Sequence, residues 1–127
     1  MLVALAGPMS NLTLAIVITI ILKILIVFGA EQYLFTGAIG KIIYSMIITT
    51  ISFNVIFAIF NMIPIPPFDG SKVLLYVLPY KWKDIMYKLE QYSFIILLLL
   101  FVTRAHMIII TPIYSVIMLL LSLILNI

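Results

Sequence analysis

The residues best suited to chemistry lie in one short stretch, residues 61–70, whose sequence is NMIPIPPFDG. This stretch holds three of the six prolines and one of the four acidic residues, Asp69. Pro66 and Pro67 lack a backbone donor and disfavour helix in the residues before them. The stretch is therefore typical of a helix end followed by a short, rigid extended piece and a turn at Asp69-Gly70. An ionised carboxylate at the edge of hydrocarbon is costly, so Asp69 is unusual here. Because the prolines hold it nearly still, as a metal ligand requires, Asp69 is a candidate metal ligand.

Asp69 also has a purely structural interpretation. Residues 71–78 form a short apolar segment that Pro79 ends, and aspartate is among the best N-cap residues of a helix. From spacing alone, a cap is favoured over a metal ligand by about two to one.

His106 is the only histidine in the chain. It lies between two apolar runs, and no second histidine or cysteine exists to share a metal ion with it. An interfacial position is therefore favoured over a ligand role by roughly five to one.

The overall composition indicates a membrane protein. Of the 127 residues, 66% are hydrophobic and 9% are charged, with a mean hydropathy of +1.39, whereas soluble domains have about 25% charged residues. The lysines form no basic stripe, so nucleic acid is not an expected partner. The absence of cysteine excludes disulfides and thiolate metal sites, and the N-terminus does not resemble a signal peptide. We expect an all-α polytopic helical bundle in the lipid bilayer, with residues 1–127 forming one domain.

The apolar runs predict about four transmembrane helices and a short interfacial helix. Because about 20 apolar residues cross the hydrocarbon layer, we expect spans at residues 2–28, 42–63, 90–104 and 107–127, with a loop at 29–41. The third span is short and could be re-entrant. Residues 81–92 place apolar and charged side chains on opposite helical sides, which predicts an amphipathic helix at the interface, anchored by Trp82.

Polar side chains mark two of the expected spans. Thr50, Asn54 and Asn61 share one helical face by their spacing, and such a stripe faces other helices or a wet cavity rather than lipid. Asn11 is the functional candidate in the first span. From the residues alone, an interhelical hydrogen bond is the favoured interpretation of Asn11 and of Asn54.

Two segments of the chain resemble site-2 proteases, the intramembrane zinc metalloproteases. Residues 61–70 match the family pattern Asn-x-x-Pro-x-Pro-Pro-x-Asp-Gly, and residues 6–11, AGPMSN, match Ala-Gly-Pro-x-x-Asn. The first pattern is fairly specific in its proline setting, and the second alone would be weak. Together with the hydropathy pattern, the resemblance covers essentially the whole chain. The family's His-Glu-x-x-His helix would lie upstream of residue 6 and is not among residues 1–127.

The resemblance implies peptide-bond hydrolysis at a catalytic zinc ion. Asp69 would be the third zinc ligand, Asn61 would hydrogen-bond substrate or the developing oxyanion, and Asn11 would line the site. The two histidine ligands and the glutamate base would come from a missing N-terminal protease segment, because Glu31 and Glu90 lie in no histidine-bearing motif. The resemblance therefore implies the C-terminal portion of a protease that cleaves transmembrane proteins in a bacterial or archaeal cell membrane. Residues 1–127 alone are expected to be inactive.

The distribution of positive charge predicts the orientation of the bundle. Four of the seven basic residues, Lys72, Lys81, Lys83 and Lys88, lie between the second and third spans. The positive-inside rule places this segment, and with it Asp69, at the cytosolic face. Both termini are then expected to be cytosolic, unless the third span is re-entrant, in which case the C-terminus lies outside.

Two other functions fit the same composition. A non-catalytic remnant or adaptor would keep the bundle and bind other transmembrane helices. A small transporter or channel subunit would use the polar stripe, and it would have to self-assemble because four helices enclose little space.

Overall fold

The structure, a computed structural model, describes residues 2–125. These residues form α-helices and no strand, which confirms the predicted all-α fold. A π-helical turn, Ile26–Ala30, joins the first two helices. The α-helices are α1 (Leu2–Leu25), α2 (Glu31–Thr36), α3 (Ala38–Met62), α4 (Asp69–Val77), α5 (Tyr80–Gln91), α6 (Ser93–Val102) and α7 (Ala105–Leu125).

Three parts of the described chain are long and apolar enough to cross a membrane: the run Val3–Thr36, α3 and α7. In the most apolar stretch of each, only 17%, 22% and 17% of the residues are buried inside the protein. Many of the other apolar side chains of these helices are exposed on the surface of the bundle and need lipid around them, because water would not solvate them. The protein is therefore an integral membrane protein with a helical bundle, as predicted.

The core lies where α1, α3 and α7 meet. Ala15 on α1 is completely buried, and a residue this small lets two helices approach closely. The side chain of Thr19, also buried, donates to the Ala15 carbonyl at 2.8 Å, so its hydroxyl is satisfied within α1. The other buried members of this cluster are Ile51, Val55, Ile59, Ile110 and Leu121.

Contacts at the two ends of the bundle give the directions of the three long helices, α1, α3 and α7. Lys23 Nζ donates to the Leu125 carbonyl at 2.8 Å, so the end of α1 lies beside the end of α7. The Phe60 and His106 rings lie 6.0 Å apart, so the end of α3 lies beside the start of α7. We call the end of the bundle that holds Phe60 the site end, and the other the far end. Because α1 and α7 both run from the site end to the far end, the prediction that both termini share one side is wrong.

The reason lies in α6, the core of the third expected span. Its ten residues rise about 15 Å, half the thickness of the hydrocarbon layer. The pair α5 and α6 is bent by 71°, as in a broken span or a re-entrant loop. The Phe101 ring lies 5.8 Å from the Phe60 ring, so α6 ends at the site end. This arrangement matches the re-entrant alternative, in which the C-terminus changes sides.

The loop predicted at residues 29–41 is wrong, because this segment contains α2 and the start of α3. Gly29 has a φ of +88°, a non-helical conformation that makes the kink between α1 and α2. A Cβ at Gly40 would lie 1.7 Å from the Tyr33 carbonyl oxygen, so α3 begins in direct backbone contact with α2. Leu34 of α2 is buried against Leu22. The glycines here therefore allow helices to pack closely.

Candidate functional site

The segment between α3 and α4 positions Asp69. Helix α3 ends at Met62, and the Ile63 amide donates to the Phe60 carbonyl at 3.1 Å. A turn follows, closed by the Phe68 amide donating to the Ile65 carbonyl at 3.1 Å. Helix α4 then begins at Asp69. The helix end and the proline-rich connection are as predicted, but the predicted turn at Asp69-Gly70 is wrong: the turn lies earlier, at residues 65–68, and Asp69 and Gly70 already belong to α4.

Gly70 lets the start of α4 pack directly against the end of α3. A Cβ at this position would lie 2.4 Å from the Met62 carbonyl oxygen and 2.6 Å from the Ile63 carbonyl oxygen. Both neighbours are backbone atoms, which cannot rotate away. Only glycine therefore allows this approach, and the contact fixes Asp69 relative to the last turn of α3.

Asn61, Asp69 and Gly7 meet at the site end of the bundle. A Cβ at Gly7 of α1 would lie 3.2 Å from Asp69 Oδ2 and 3.9 Å from Asn61 Nδ2. The structure thus brings the two motif segments, residues 6–11 and 61–70, into contact through three different helices. Asn11 lies one turn further along α1, half-buried, and makes no side-chain hydrogen bond to residues 2–125.

The Asp69 carboxylate does not act as the N-cap of α4. Phe68 occupies the position before the helix, and no side-chain cap bond forms there. The Ser71 amide and the Ser71 hydroxyl donate to the Phe68 carbonyl at 3.1 and 2.7 Å. Asp69 Oδ1 instead accepts from Lys72 Nζ at 3.0 Å, and this is the one ion pair in the described part of the chain.

A cavity of about 410 Å³ opens beside Asp69, between the start of α1, α4 and α5. Lys72 and Lys83 line it together with Tyr76 and Tyr87, so its wall carries more positive than negative charge. A second cavity of about 420 Å³ lies between α1, α3 and α7, and its wall is almost entirely apolar. The Asp69 carboxylate therefore lines the more polar of the two cavities.

The residues around Asp69 fit one ligand of a metal ion. The carboxylate is half-buried, and its Oδ2 lies close to Gly7 of α1, where an added Cβ would come within 3.2 Å of it. Carboxylate oxygen is a usual zinc ligand. No group of three or more His, Cys, Asp or Glu side chains that could hold a metal ion occurs in residues 2–125. A zinc ion at this place would therefore need further ligands from outside the described chain.

His106 has a packing role in the structure. Its Nδ1 lies 3.0 Å from the Leu100 carbonyl oxygen. Its ring packs on Phe101, with centroids 4.9 Å apart, and on Phe60 at 6.0 Å. The histidine thus ties α6 and α7 to the end of α3.

The expected interhelical hydrogen bond of Asn54 is not formed. Asn54 Nδ2 donates to the Thr50 carbonyl at 2.9 Å, inside α3. The hydrogen bond that does link α3 to another helix is from the Tyr114 hydroxyl to Ser52 Oγ at 3.0 Å. Local bonding satisfies Asn54, because a carbonyl four residues earlier is always within reach of a helical side chain.

Sequence reasoning missed three residues at the site. Gly7 and Gly70 were noted only as members of the two sequence motifs. Their role depends on atoms from other helices that come close to them in the fold. Lys72 was counted only for its charge. Its spacing of three from Asp69 on a helix was a usable signal, since such residues are neighbours on the helix surface.

Comparisons with known proteins identify the family of the chain. The family model of peptidase family M50 matches residues 1–103. The chain is 33% identical over 102 residues to "Putative zinc metalloprotease YwhC" of Bacillus subtilis, covering 80% of this chain and 45% of that protein. It is 39% identical over 80 residues to "Putative zinc metalloprotease MJ0611" of Methanocaldococcus jannaschii, covering 63% of this chain and 35% of that protein.

The chain thus spans less than half the length of the curated relatives that it matches. No solved structure gives a significant match. The family model covers the segments that hold Gly7, Asn61 and Asp69, together with the first two spans. The chain therefore belongs to peptidase family M50, the family of site-2-type proteases.

Proposed function

We propose that this chain is the C-terminal portion of an intramembrane zinc metalloendopeptidase that hydrolyses peptide bonds of transmembrane proteins. The observation that carries the proposal is the meeting of three helices at one carboxylate. A Cβ on Gly7 would lie 3.2 Å from Asp69 Oδ2 and 3.9 Å from Asn61 Nδ2. A half-buried acid beside an amide donor, at one end of a membrane bundle, suits hydrolysis better than helix packing alone.

In this proposal each side chain has a separate task. Asp69 would supply one zinc ligand, and a zinc ion held there would contribute Lewis-acid chemistry and a more acidic water. Asn61 donates a hydrogen bond to the substrate carbonyl and to the charge that develops on its oxygen. Removing one such donor costs about 10²–10³-fold in rate. Asn11, one turn along α1 from Gly7, lines the wall of the site.

The remaining ligands come from another segment. Two histidines and a glutamate base are needed in addition to Asp69, and the described residues contain no metal-binding group of three. The curated relatives extend well beyond the matched region, which leaves room for an N-terminal protease segment. Residues 1–127 alone are then inactive.

The proposed orientation places the site end at the cytosolic face of a bacterial or archaeal membrane. Two basic residues, Lys23 and Lys41, lie toward the far end, at the end of α1 and the start of α3. The other five follow α3 or lie between α6 and α7, in segments that the contacts place toward the site end: Lys72, Lys81, Lys83, Lys88 and Arg104. This asymmetry supports a cytosolic site end.

The proposal is tested in the assembled protease, meaning this chain together with the segment that supplies the histidines. Asp69→Ala should abolish both zinc binding and cleavage of a membrane substrate. Asn61→Ala should lower the cleavage rate by about 10²–10³-fold while zinc content is kept. Asn54→Ala, on the same helix but bonded locally, is the matched control and should cleave normally.

Two results would count against a protease. If the Asp69→Ala variant still cleaves the substrate, Asp69 is not a metal ligand. If the protein keeps its cellular function in Asp69→Ala although no cleavage occurs, the adaptor function is favoured. The intact mass of the native protein gives independent information. A mass well above 14.4 kDa, with an extension containing His-Glu-x-x-His, is expected.

A further inference from the structure

We infer that the cavity beside Lys83 binds the phosphate group of an anionic phospholipid, whose acyl chains lie against the apolar residues of the same cavity. This cavity of about 410 Å³ lies between the start of α1, α4 and α5. The inference goes beyond the proposed function, because it concerns a lipid-binding site and requires neither a metal ion nor proteolysis.

Lys83 indicates that the ligand is an anion. It lines the cavity and is half-buried, whereas Lys81 and Lys88 on the same helix are exposed. Within residues 2–125, Lys83 forms neither an ion pair nor a side-chain hydrogen bond. Moving a cation out of water costs free energy unless the cation is paired. An anion in the cavity supplies this partner.

The charges around the cavity match a ligand with one negative charge. Two ammonium groups, of Lys72 and Lys83, and one carboxylate, of Asp69, line it, which leaves one positive charge in excess. Lys72 Nζ donates to Asp69 Oδ1 at 3.0 Å, and an ammonium group has two further N–H donors for another acceptor. The phosphodiester of a phospholipid carries one negative charge and accepts hydrogen bonds from both lysines.

The apolar part of the cavity wall distinguishes a lipid from a soluble anion. Val3, Ala4 and Leu75 line the cavity together with the charged residues. Val3 also begins the first run that is long and apolar enough to cross a membrane, so the cavity lies at the level where headgroups meet hydrocarbon. A soluble phosphate gains nothing from apolar side chains, whereas acyl chains bury apolar area against them.

Helix α5 gives a second reason for a lipid. Trp82, Ile85 and Leu89 share one side of this helix, at i, i+3 and i+7, and are 56%, 47% and 38% exposed. Lys83 and Tyr87, at i and i+4, line the cavity from another side of the helix. A helix with an exposed apolar side and a basic side lies in the membrane interface, and tryptophan anchors it there. Lys83 is therefore at the level of the lipid phosphates.

The experiment uses the complete native protein in detergent and measures lipid binding by native mass spectrometry. Phosphatidylglycerol, which is anionic, should bind about tenfold more tightly than zwitterionic phosphatidylcholine, because a hydrogen bond to a charged group contributes about this much. Lys83→Met should remove this preference, and Lys83→Arg, which keeps a charged donor, should retain it.

Lys81→Met is the matched control. It removes the same charge from the same helix, but Lys81 does not line the cavity. Phosphatidylglycerol binding should therefore weaken by no more than about twofold, because salt screens an exposed charge that is not in contact with the lipid. Equal losses in Lys81→Met and Lys83→Met would overturn the inference, since the effect would then be one of overall surface charge. Equal binding of the two lipids to the wild-type protein would also overturn it.

A second measurement leaves Lys83 unchanged, so it decides the question even if Lys83→Met does not fold. Trp82 is the only tryptophan among the 127 residues, and its fluorescence is obtained as the difference between the protein and the Trp82→Phe variant. Phosphatidylglycerol with brominated acyl chains should quench this fluorescence at a lower concentration than brominated phosphatidylcholine. Equal quenching by the two lipids contradicts a site beside α5.

A soluble probe distinguishes the lipid from a free phosphodiester. Glycerophosphoglycerol has the headgroup of phosphatidylglycerol without acyl chains, and at an equal concentration it should not displace the brominated lipid. Displacement at an equal concentration would overturn the lipid as the occupant, because the acyl chains would then contribute nothing to binding.

Discussion

Gly70→Ala should disable the site by moving the start of α4. The added Cβ would lie 2.4 Å from the Met62 carbonyl oxygen and 2.6 Å from the Ile63 carbonyl oxygen. Contacts of this kind below 3.0 Å are essentially never seen, so the separation must grow by at least about 0.6 Å. Both obstacles are backbone atoms at the end of α3, so the helices themselves must move apart, and Asp69 moves with α4.

The size of the effect follows from this displacement. A misplacement of about 1 Å in an active site can cost about 10²-fold in rate, so the assembled protease should lose roughly this much in kcat/KM. Overpacking also destabilises proteins by about 1–3 kcal/mol. We therefore expect lower activity together with a lower unfolding temperature in detergent.

The measurements are cleavage of a transmembrane substrate and thermal unfolding of the purified protein. Gly37→Ala is the control, because a Cβ there would meet its nearest neighbour, the Tyr33 carbonyl oxygen, at an ordinary 3.8 Å. If Gly70→Ala and Gly37→Ala behave alike in both measurements, the contact between α3 and α4 does not position Asp69, and the reasoning is refuted.

Three further substitutions test contacts that hold the bundle together. Lys23→Met removes the 2.8 Å hydrogen bond to the Leu125 carbonyl and should lower the free energy of unfolding by about 1–2 kcal/mol, measured by thermal unfolding. An unchanged free energy would mean that other contacts hold the end of α7. Tyr114→Phe removes the 3.0 Å bond to Ser52 and should cost about 0.6 kcal/mol, the average for such bonds in membrane proteins, by the same assay. His106→Leu should lower the unfolding temperature but leave the zinc content of the assembled protease unchanged, and a loss of zinc would contradict its packing role.

The spans follow closely from the sequence because lipid imposes a local rule. A backbone inside the bilayer must satisfy its hydrogen bonds within its own segment, so a long apolar run becomes a helix. Helices α1, α3 and α7 accordingly lie within a few residues of three predicted spans. The amphipathic helix predicted at residues 81–92 also appears, as α5.

The errors share one cause. The segment 29–41 was predicted as a loop because its glycines and polar residues interrupt the apolar run, yet Gly40 is needed for contact with Tyr33 in a neighbouring helix. The third predicted span, residues 90–104, does not form one straight transmembrane helix. Helix α6 is bent by 71° relative to α5, and its Phe101 ring packs on Phe60 of α3. Both features depend on residues distant in space, and local patterns carry no information about them.

The sequence by itself determined the membrane setting, the long helices α1, α3 and α7, and the residue types of the candidate site. It placed Asp69 after a rigid proline segment and Asn61 at the end of a polar stripe, because these are properties of neighbouring residues. Only the tertiary structure decided that Gly7 of α1 faces Asp69 Oδ2, that Lys72 pairs with Oδ1, and that α7 ends beside Lys23. These facts depend on how helices pack against one another, which is set by side-chain shape across the bundle rather than by the order of residues along one helix.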